Sequence, residues 1–354
     1  MSLAARGLLA AFDRIDASPR DGRLSGAELD AAIQDPAVTG ELSDAVVAAR
    51  AKLLRDEYPD VGRTYFSYGW GYARWLGTGV YALGSSFLRG TQTLSRSELE
   101  RWANGRGSGD MAKLDEDLER VTTRRAATPA QTFAAAAPRA GDVRQGFVGD
   151  CYLQAAAAGL AAMRPQELSR LITELPDGGY SVRFGKISVD VSALTDSESS
   201  YFASSGANGR WLAVISKAYA QYRFGSKTPK RGETLNAADG GLAEEGIVAL
   251  TGHSATSYSV WWRTLASTRQ ILTEGIAKRR VMVAGSGFDS DKVHASHAYT
   301  VIAYDRASDQ ITLRNPWGTH RTLTGPGLSA DGNVTMSLAE FASTFAVLAV
   351  EDAS

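Results

Sequence analysis

Cysteine occurs once in this chain, at Cys151, and that fact narrows what the sequence can fold into. An internal disulfide and any multi-cysteine metal site are excluded, so burial and hydrogen bonds must hold the fold. The means are present. The 354 residues are 44% hydrophobic and 22% charged, ordinary for a globular protein and enough for two domains or three lobes. The net charge of −1 points to neither nucleic acid nor an anionic membrane as partner. A lone thiol fits a reducing compartment, or a secreted protein without bridges. Asp13 and Asp16 follow the short apolar start, so residues 1–12 are not a secretory signal. The expected location is the cytoplasm, or another cell reached by a signal-peptide-independent route.

The stretch around the cysteine is the most informative. It reads Gln145-Gly-Phe-Val-Gly-Asp150-Cys151-Tyr-Leu-Gln and runs into four alanines. Asp150 is a good N-cap and the Leu/Ala-rich run is a strong helix former, so Cys151 falls in the first turn of a helix. Unpaired N–H groups and the positive end of the macrodipole lie there, which favours a thiolate. Read alone, Cys151 is as well explained as a small buried residue at a helix start.

The first 60 residues read as helical, with Leu8, Leu9, Phe12 and Ile15 at helical spacing. Asp16, Ser18, Asp21 and Glu28 then resemble an EF-hand loop, making calcium a candidate ligand. Counted from Asp16, Glu28 falls one position late and Pro19 looks inserted, so a helix-loop-helix without metal is the competing reading. No cofactor is required. Residues 65–88 interleave aromatics with glycines; Arg74 interrupts them, so no transmembrane span is expected. They read as packing surface, or as a protein-partner or membrane-surface patch. Residues 122–141, rich in Ala, Thr and Pro, read as a linker. The expected division is a helical domain at 1–127, its linker running to about 141, and a second domain at 128–354.

In the second domain, helical continuation is expected over 165–175, then a hairpin from Tyr180–Phe184 and Ile187–Val191. Helices follow at 211–222, after Gly240-Gly241, and at 265–278. Strands are expected at 281–285, 297–304 and 310–314, then a helix near 337–345 and a last strand at 347–350.

Thiol chemistry needs a base. His297 opens an alternating strand, and Asn315 follows the next one. Pairing Tyr304 with Ile311 brings His297 opposite Gly318, with Asn315 at the same end of the sheet. An Asn carbonyl there can orient the imidazole. Gln145 can donate its amide to an oxyanion, with the Cys151 N–H as second donor. Trp317 can cover the His–Asn bond. His294 is the rival base; His253 and His320 read as structural or surface residues.

Together, Gln145-Gly-x-x-Gly-Asp-Cys151, His297-Ala-Tyr-Thr-Val and Asn315-Pro-Trp-Gly resemble the calpain family of cysteine proteases. So do 211–219, the Gly240-Gly241 to Gly252 segment and Ser337-Leu-Ala-Glu-Phe. The resemblance covers about 128–354. It implies an α+β, papain-like core of two lobes, a helical one bringing Gln145 and Cys151 and a β-rich one bringing His297 and Asn315. It implies a thiol endopeptidase acting on protein or peptide substrates through a thioester, with Gly240, Gly241 and Ser296 at the substrate. Tyr152 stands where the family usually has Trp, and Ser296 where Gly is common. A stand-alone protease with such an N-terminal region fits a bacterial type, with an effector or toxin role by analogy. A non-catalytic binding module and an acyltransferase remain the alternatives.

Overall fold

The computed structural model describes residues 1–17, 20–57, 92–107, 109–134, 136–225, 232–287, 290, 292–321, 328–329 and 331–352. The expected aromatic partner patch at 65–88 and the candidate ligand Ser18 lie outside the described residues. The fold is α+β, as the resemblance implied. Among the described residues no helix is long and apolar enough to cross a membrane.

The N-terminal region is built on a repeat that the composition hides. Leu24-Ser-Gly-Ala-Glu-Leu29 and Leu94-Ser-Arg-Ser-Glu-Leu99 are two copies of Leu-Ser-x-x-Glu-Leu. Each copy makes a three-residue strand that runs straight into a helix. The strands Arg23–Ser25 and Thr93–Ser95 pair antiparallel, Leu24 opposite Leu94. Ser25 with Glu28, and Ser95 with Glu98, close reciprocal capping boxes at the helix starts. Leu24, Leu29, Leu94 and Leu99 are all buried. The helix Gly40–Glu57 packs beside them, and Gly109–Ala127 packs on it.

Gly109–Ala127 corrects the expected linker. Residues 122–127 are its last turns, and Arg125 holds Asp44 through two bonds of 2.7 and 2.9 Å. The regions on either side of residue 127 also share polar contacts. Arg50 binds Asp30 at 2.7 Å, the other Asp30 oxygen accepts Asn236 Nδ2 at 3.1 Å, and Asn236 Oδ1 accepts Tyr201 OH at 2.6 Å. One apolar core runs through both regions.

The helix Cys151–Met163 lies at the centre of that core, buried from Tyr152 through Ala161. Trp211–Phe224 and Ala243–Thr251 pack against it, and the sheet Ile172–Glu174, Tyr180–Phe184, Ile187–Val191 packs on those two helices. The helix expected over 165–175 stops at Ser169, where a strand begins within three residues at Ile172.

A six-stranded antiparallel sheet forms the other half, in the order Asn333–Ser337, Gln310–Arg314, Ala298–Asp305, Met282–Ser286, Phe345–Glu351, Ala255–Ser259. Its period of two divides its side chains between two cores. Val283, Ala298 and Ala349 face the Cys151 helix, while Met282, Ala284, Tyr299, Val301, Leu348 and Val350 join a second core with Leu272 and Phe341. Helix and sheet come close because the helix surface is Ala and Gly. A Cβ on Gly159 would sit 2.9 Å from Val281. Thr300 Oγ1 donates to Ala155 O at 2.6 Å across the same contact.

Candidate active site

Cys151 is the first residue of its helix, and Asp150 holds the N-cap position without a side-chain capping bond. The Asp150 carboxylate turns inward instead and accepts Gln154 Nε2 at 2.6 Å, and Gln154 also reaches Ser216 at 3.0 Å. The other Asp150 oxygen is buried without a partner. Burial pushes this carboxyl up to about 7; Asp239 adds to the rise, while Gln154 and Arg124 oppose it.

The thiol departs from the sequence expectation. Burial pushes Cys151 up to about 11, and the Asp150 charge adds to it. The N–H groups of Ala298, Tyr152 and Cys151 itself oppose the rise without matching it. The helix N-terminus is there, but desolvation of the sulfur outweighs it. The Ala298 bond also fixes position, because it sets the sulfur beside the residue that follows His297.

His297 is 7% exposed, and its Nε2 bonds Asn315 Oδ1 at 2.8 Å. Asn315 is fully buried, and its Oδ1 also accepts Trp317 N at 3.0 Å. Its Nδ2 makes no hydrogen bond. The Trp317 ring covers His297 at 4.3 Å between centroids, and His294, the rival base, packs on the same indole at 4.6 Å. Tyr299 meets His297 edge-on at 5.0 Å. Tyr304 pairs with Ile311 as expected, but a bulge between Val301 and Ala303 slips the pairing by one, so that Thr300 faces Arg314. The expected pairing of His297 with Gly318 is lost in that slip.

Gln145 is part-buried, and its Nε2 donates to Val148 O at 2.8 Å. Its backbone N donates to Pro316 O at 2.7 Å, tying it to the segment that carries Asn315. Gly240 and Gly241 meet the start of the Cys151 helix. Gly240 N donates to Gly149 O at 2.9 Å, and a Cβ on Gly241 would lie 2.4 Å from the Tyr152 ring. Ser296 has φ 57°, a left-handed backbone that favours glycine, which is a physical reason for the Gly common at that place.

Two residues here escaped the sequence reading. Asp239 accepts Gly149 N at 2.6 Å, and its only signal was its place before Gly240-Gly241. Arg314 is buried and donates to Gly141 O and Val143 O at 3.2 and 3.0 Å, and also to Asp331 O, though the pattern showed an ordinary strand arginine.

The candidate calcium residues lie apart, in the N-terminal region. Asp16 accepts the N–H groups of Asp21 and Gly22 at 3.2 and 2.9 Å, and Asp21 accepts Arg23 N at 2.9 Å. Glu28 accepts Ser25 N at 2.9 Å and Ala17 N at 3.1 Å. These oxygens close the loop and cap the helix, and among the described residues no group of three or more His, Cys, Asp or Glu could hold a metal ion.

A family model described as calpain family cysteine protease matches residues 119–329. The match begins inside the Gly109–Ala127 helix, ahead of the expected start at 128. The chain is 25% identical over 211 residues to the calpain-type cysteine protease DEK1 of Zea mays, covering 52% of this chain and 9% of that protein. It is 26% identical over 212 residues to calpain clp-4 of Caenorhabditis elegans, covering 52% and 28%. With calpain-8 of Homo sapiens it shares 25% over 218 residues, covering 54% and 29%. It therefore spans less than a third of each of these relatives. On the strength of the family match, which takes in Gln145, Cys151, His297 and Asn315 and more than half of the sequence, the chain belongs to the calpain family of cysteine proteases.

Proposed function

We propose that the chain is a cysteine endopeptidase whose triad is Cys151, His297 and Asn315, carried by a papain-like domain from about residue 128. The observation that carries this reading is the buried 2.8 Å bond from His297 Nε2 to Asn315 Oδ1, beside a thiol that receives the Ala298 N–H. With Nε2 committed to Asn315, Nδ1 is the nitrogen that exchanges a proton with sulfur.

The raised thiol sets the order of events. The Cys151 proton passes to His297 as Sγ attacks the peptide carbonyl, so charge separates only when substrate is in place. Asn315 holds the imidazolium by accepting from Nε2, and Trp317 keeps water off that bond. The oxyanion takes the Cys151 N–H and the second Nε2 hydrogen of Gln145, the first being held by Val148 O. The imidazolium protonates the leaving amine as the C–N bond breaks, leaving a thioester. Water then attacks it with His297 as base, releasing the acid and restoring the thiol.

Site variants test this on a protein substrate. Cys151→Ala is expected to abolish cleavage and keep the fold, and His297→Ala to come close to it. Asn315→Ala and Gln145→Ala should be partial, since losing one oxyanion donor costs roughly 10²–10³ in turnover. His294→Ala should be the mildest of the set. Normal cleavage by Cys151→Ala refutes the enzymatic reading, and a dead His294→Ala beside an active His297→Ala refutes the choice of base.

A further inference from the structure

A cavity of about 1260 Å³ opens beside the candidate triad, and Gln145 and Trp317 form part of its wall. Its other walls carry arginines. Arg120 and Arg124 come from the Gly109–Ala127 helix, and Arg139 and Arg144 from the segment leading to Gln145. Among the described lining residues, Asp142 is the only acid.

That acid is already engaged, by Arg139 at 3.1 Å and by Asn208 Nδ2 at 2.7 Å. Arg120 is held by Asp117 at 3.1 Å and lies over the Phe147 ring at 4.9 Å. Arg124 and Arg144 donate to carbonyls instead. Arg124 Nη2 reaches Phe202 O at 2.8 Å and Arg144 O at 3.2 Å, and Arg144 Nη1 reaches Gly141 O at 3.1 Å. Arg124 Nε is buried without a partner. Burial, and then the cations of Arg120 and Arg144, push Arg124 down to about 10, with Asp150 acting the other way. Carbonyl dipoles do not cancel a net charge, and a cationic wall short of counter-charge is costly until an anion arrives.

The cavity also has a direction relative to the scissile bond. The leaving amine must reach the His297 imidazole to take its proton. The chain beyond that amine therefore departs over His297 and its cover, Trp317. Trp317 is a wall of the cavity.

We propose that this cavity receives the substrate residues on the C-terminal side of the cleaved bond and selects acidic side chains there. The proposal rests on the peptidase reading, and the test keeps the two apart. Internally quenched peptides with a common N-terminal half would carry Asp or Lys at the three positions after the scissile bond. The expected kcat/KM ratio of Asp to Lys is at least about tenfold, falling as salt is raised. Arg144→Gln, at an exposed position, should lower that ratio several-fold, and Arg120→Gln gives a second variant should the first misfold. The same charge swap before the scissile bond should give a ratio that neither variant moves. A ratio near one, a Lys preference, or a ratio insensitive to both variants overturns the subsite while peptide cleavage itself stands. If no peptide is cleaved and a thiol-trapping peptide probe fails to label Cys151, the peptidase reading fails and the subsite falls with it.

Discussion

Asp150 offers the sharpest test of how the site is tuned, because its cost can be worked out and read without a substrate. The carboxyl is 1% exposed, one oxygen has no partner, and its pKa rises from 3.8 to about 7 on folding. That rise corresponds to about 4 kcal/mol, at an order-of-magnitude level. Because the folded-state pKa is the higher one, the folded protein holds the proton longer. Below 3.8 both states are protonated and the group is neutral in the balance. Between about 4 and 7 the unfolded state ionises first, so stability falls with rising pH; above about 7 the loss is complete and constant. Asp150→Asn removes the titration while keeping an oxygen for Gln154 Nε2, and it loses no capping bond because none exists. Thermal unfolding of both proteins from pH 4 to pH 8 should show the variant gaining on the wild type as pH rises, by roughly 5–10 °C at the top of the range. Any constant offset from the substitution cancels in the slope. A gap that stays flat, or closes with rising pH, would mean that Asp150 is ionised in the folded protein, and the reasoning from burial would be refuted. The same variant should lower the pH at which iodoacetamide begins to alkylate Cys151, since the Asp150 charge is one of the causes that raise the thiol.

Two further outcomes follow from contacts elsewhere. Gly241→Ala would place a methyl 2.4 Å from the Tyr152 ring, whose hydroxyl is tied to Ala238 O at 3.0 Å and cannot yield, so a loss of about 1–3 kcal/mol is expected in chemical denaturation. A wild-type transition midpoint in that variant would show that the loop gives way. Calcium titrated into the protein should bind neither tightly nor stoichiometrically in calorimetry, because the Asp16, Asp21 and Glu28 carboxylates are occupied by backbone amides. Tight one-to-one heat that Asp21→Ala abolishes would overturn that view.

What could be read from the sequence was what local periodicity decides. The hairpin at Tyr180–Phe184 and Ile187–Val191 falls where alternation put it, and the helix from Trp211 and the strand Gln310–Arg314 match to within a few residues. Local pattern failed where tertiary contacts decide. Ala255–Ser259 was not foreseen as a strand because it is an edge with few apolar residues, held by pairing to Phe345–Glu351. The bulge between Val301 and Ala303 has no signature in an unbroken alternating run, yet it moves the frame in which His297 and Asn315 meet. The surroundings of the thiol escaped the sequence for the same reason. The helix start was visible in residues 145–158, whereas the packing that desolvates the sulfur comes partly from a strand that begins at Ala298.

The contacts between the two halves explain why the site needs so little from its own side chains to stay in register. Gln145 belongs to the chain entering the Cys151 helix, and Asn315 to the chain leaving a strand of the six-stranded sheet. Gln145 N on Pro316 O joins them at the backbone of Gln145 itself and one residue past Asn315. Arg314, one residue before Asn315, donates to Gly141 O and Val143 O just before Gln145. Thr300 on Ala155 O and Ala298 N–H on the Cys151 sulfur repeat the arrangement along the Cys151 helix. Each bond joins one half to the other, and each lies within three or four residues of a candidate site residue. Backbone and buried side-chain bonds of this kind resist small rotations between the halves, because a shift of about an ångström would take several of them out of bonding range together. On the proposed reading, the contact between the two halves sets how sulfur and imidazole meet, and Asn315 fixes the orientation of the ring. If the proposed roles hold, removing Asn315 should cost activity in part, whereas loosening Arg314 should disturb the Gln145 side and the imidazole side at once.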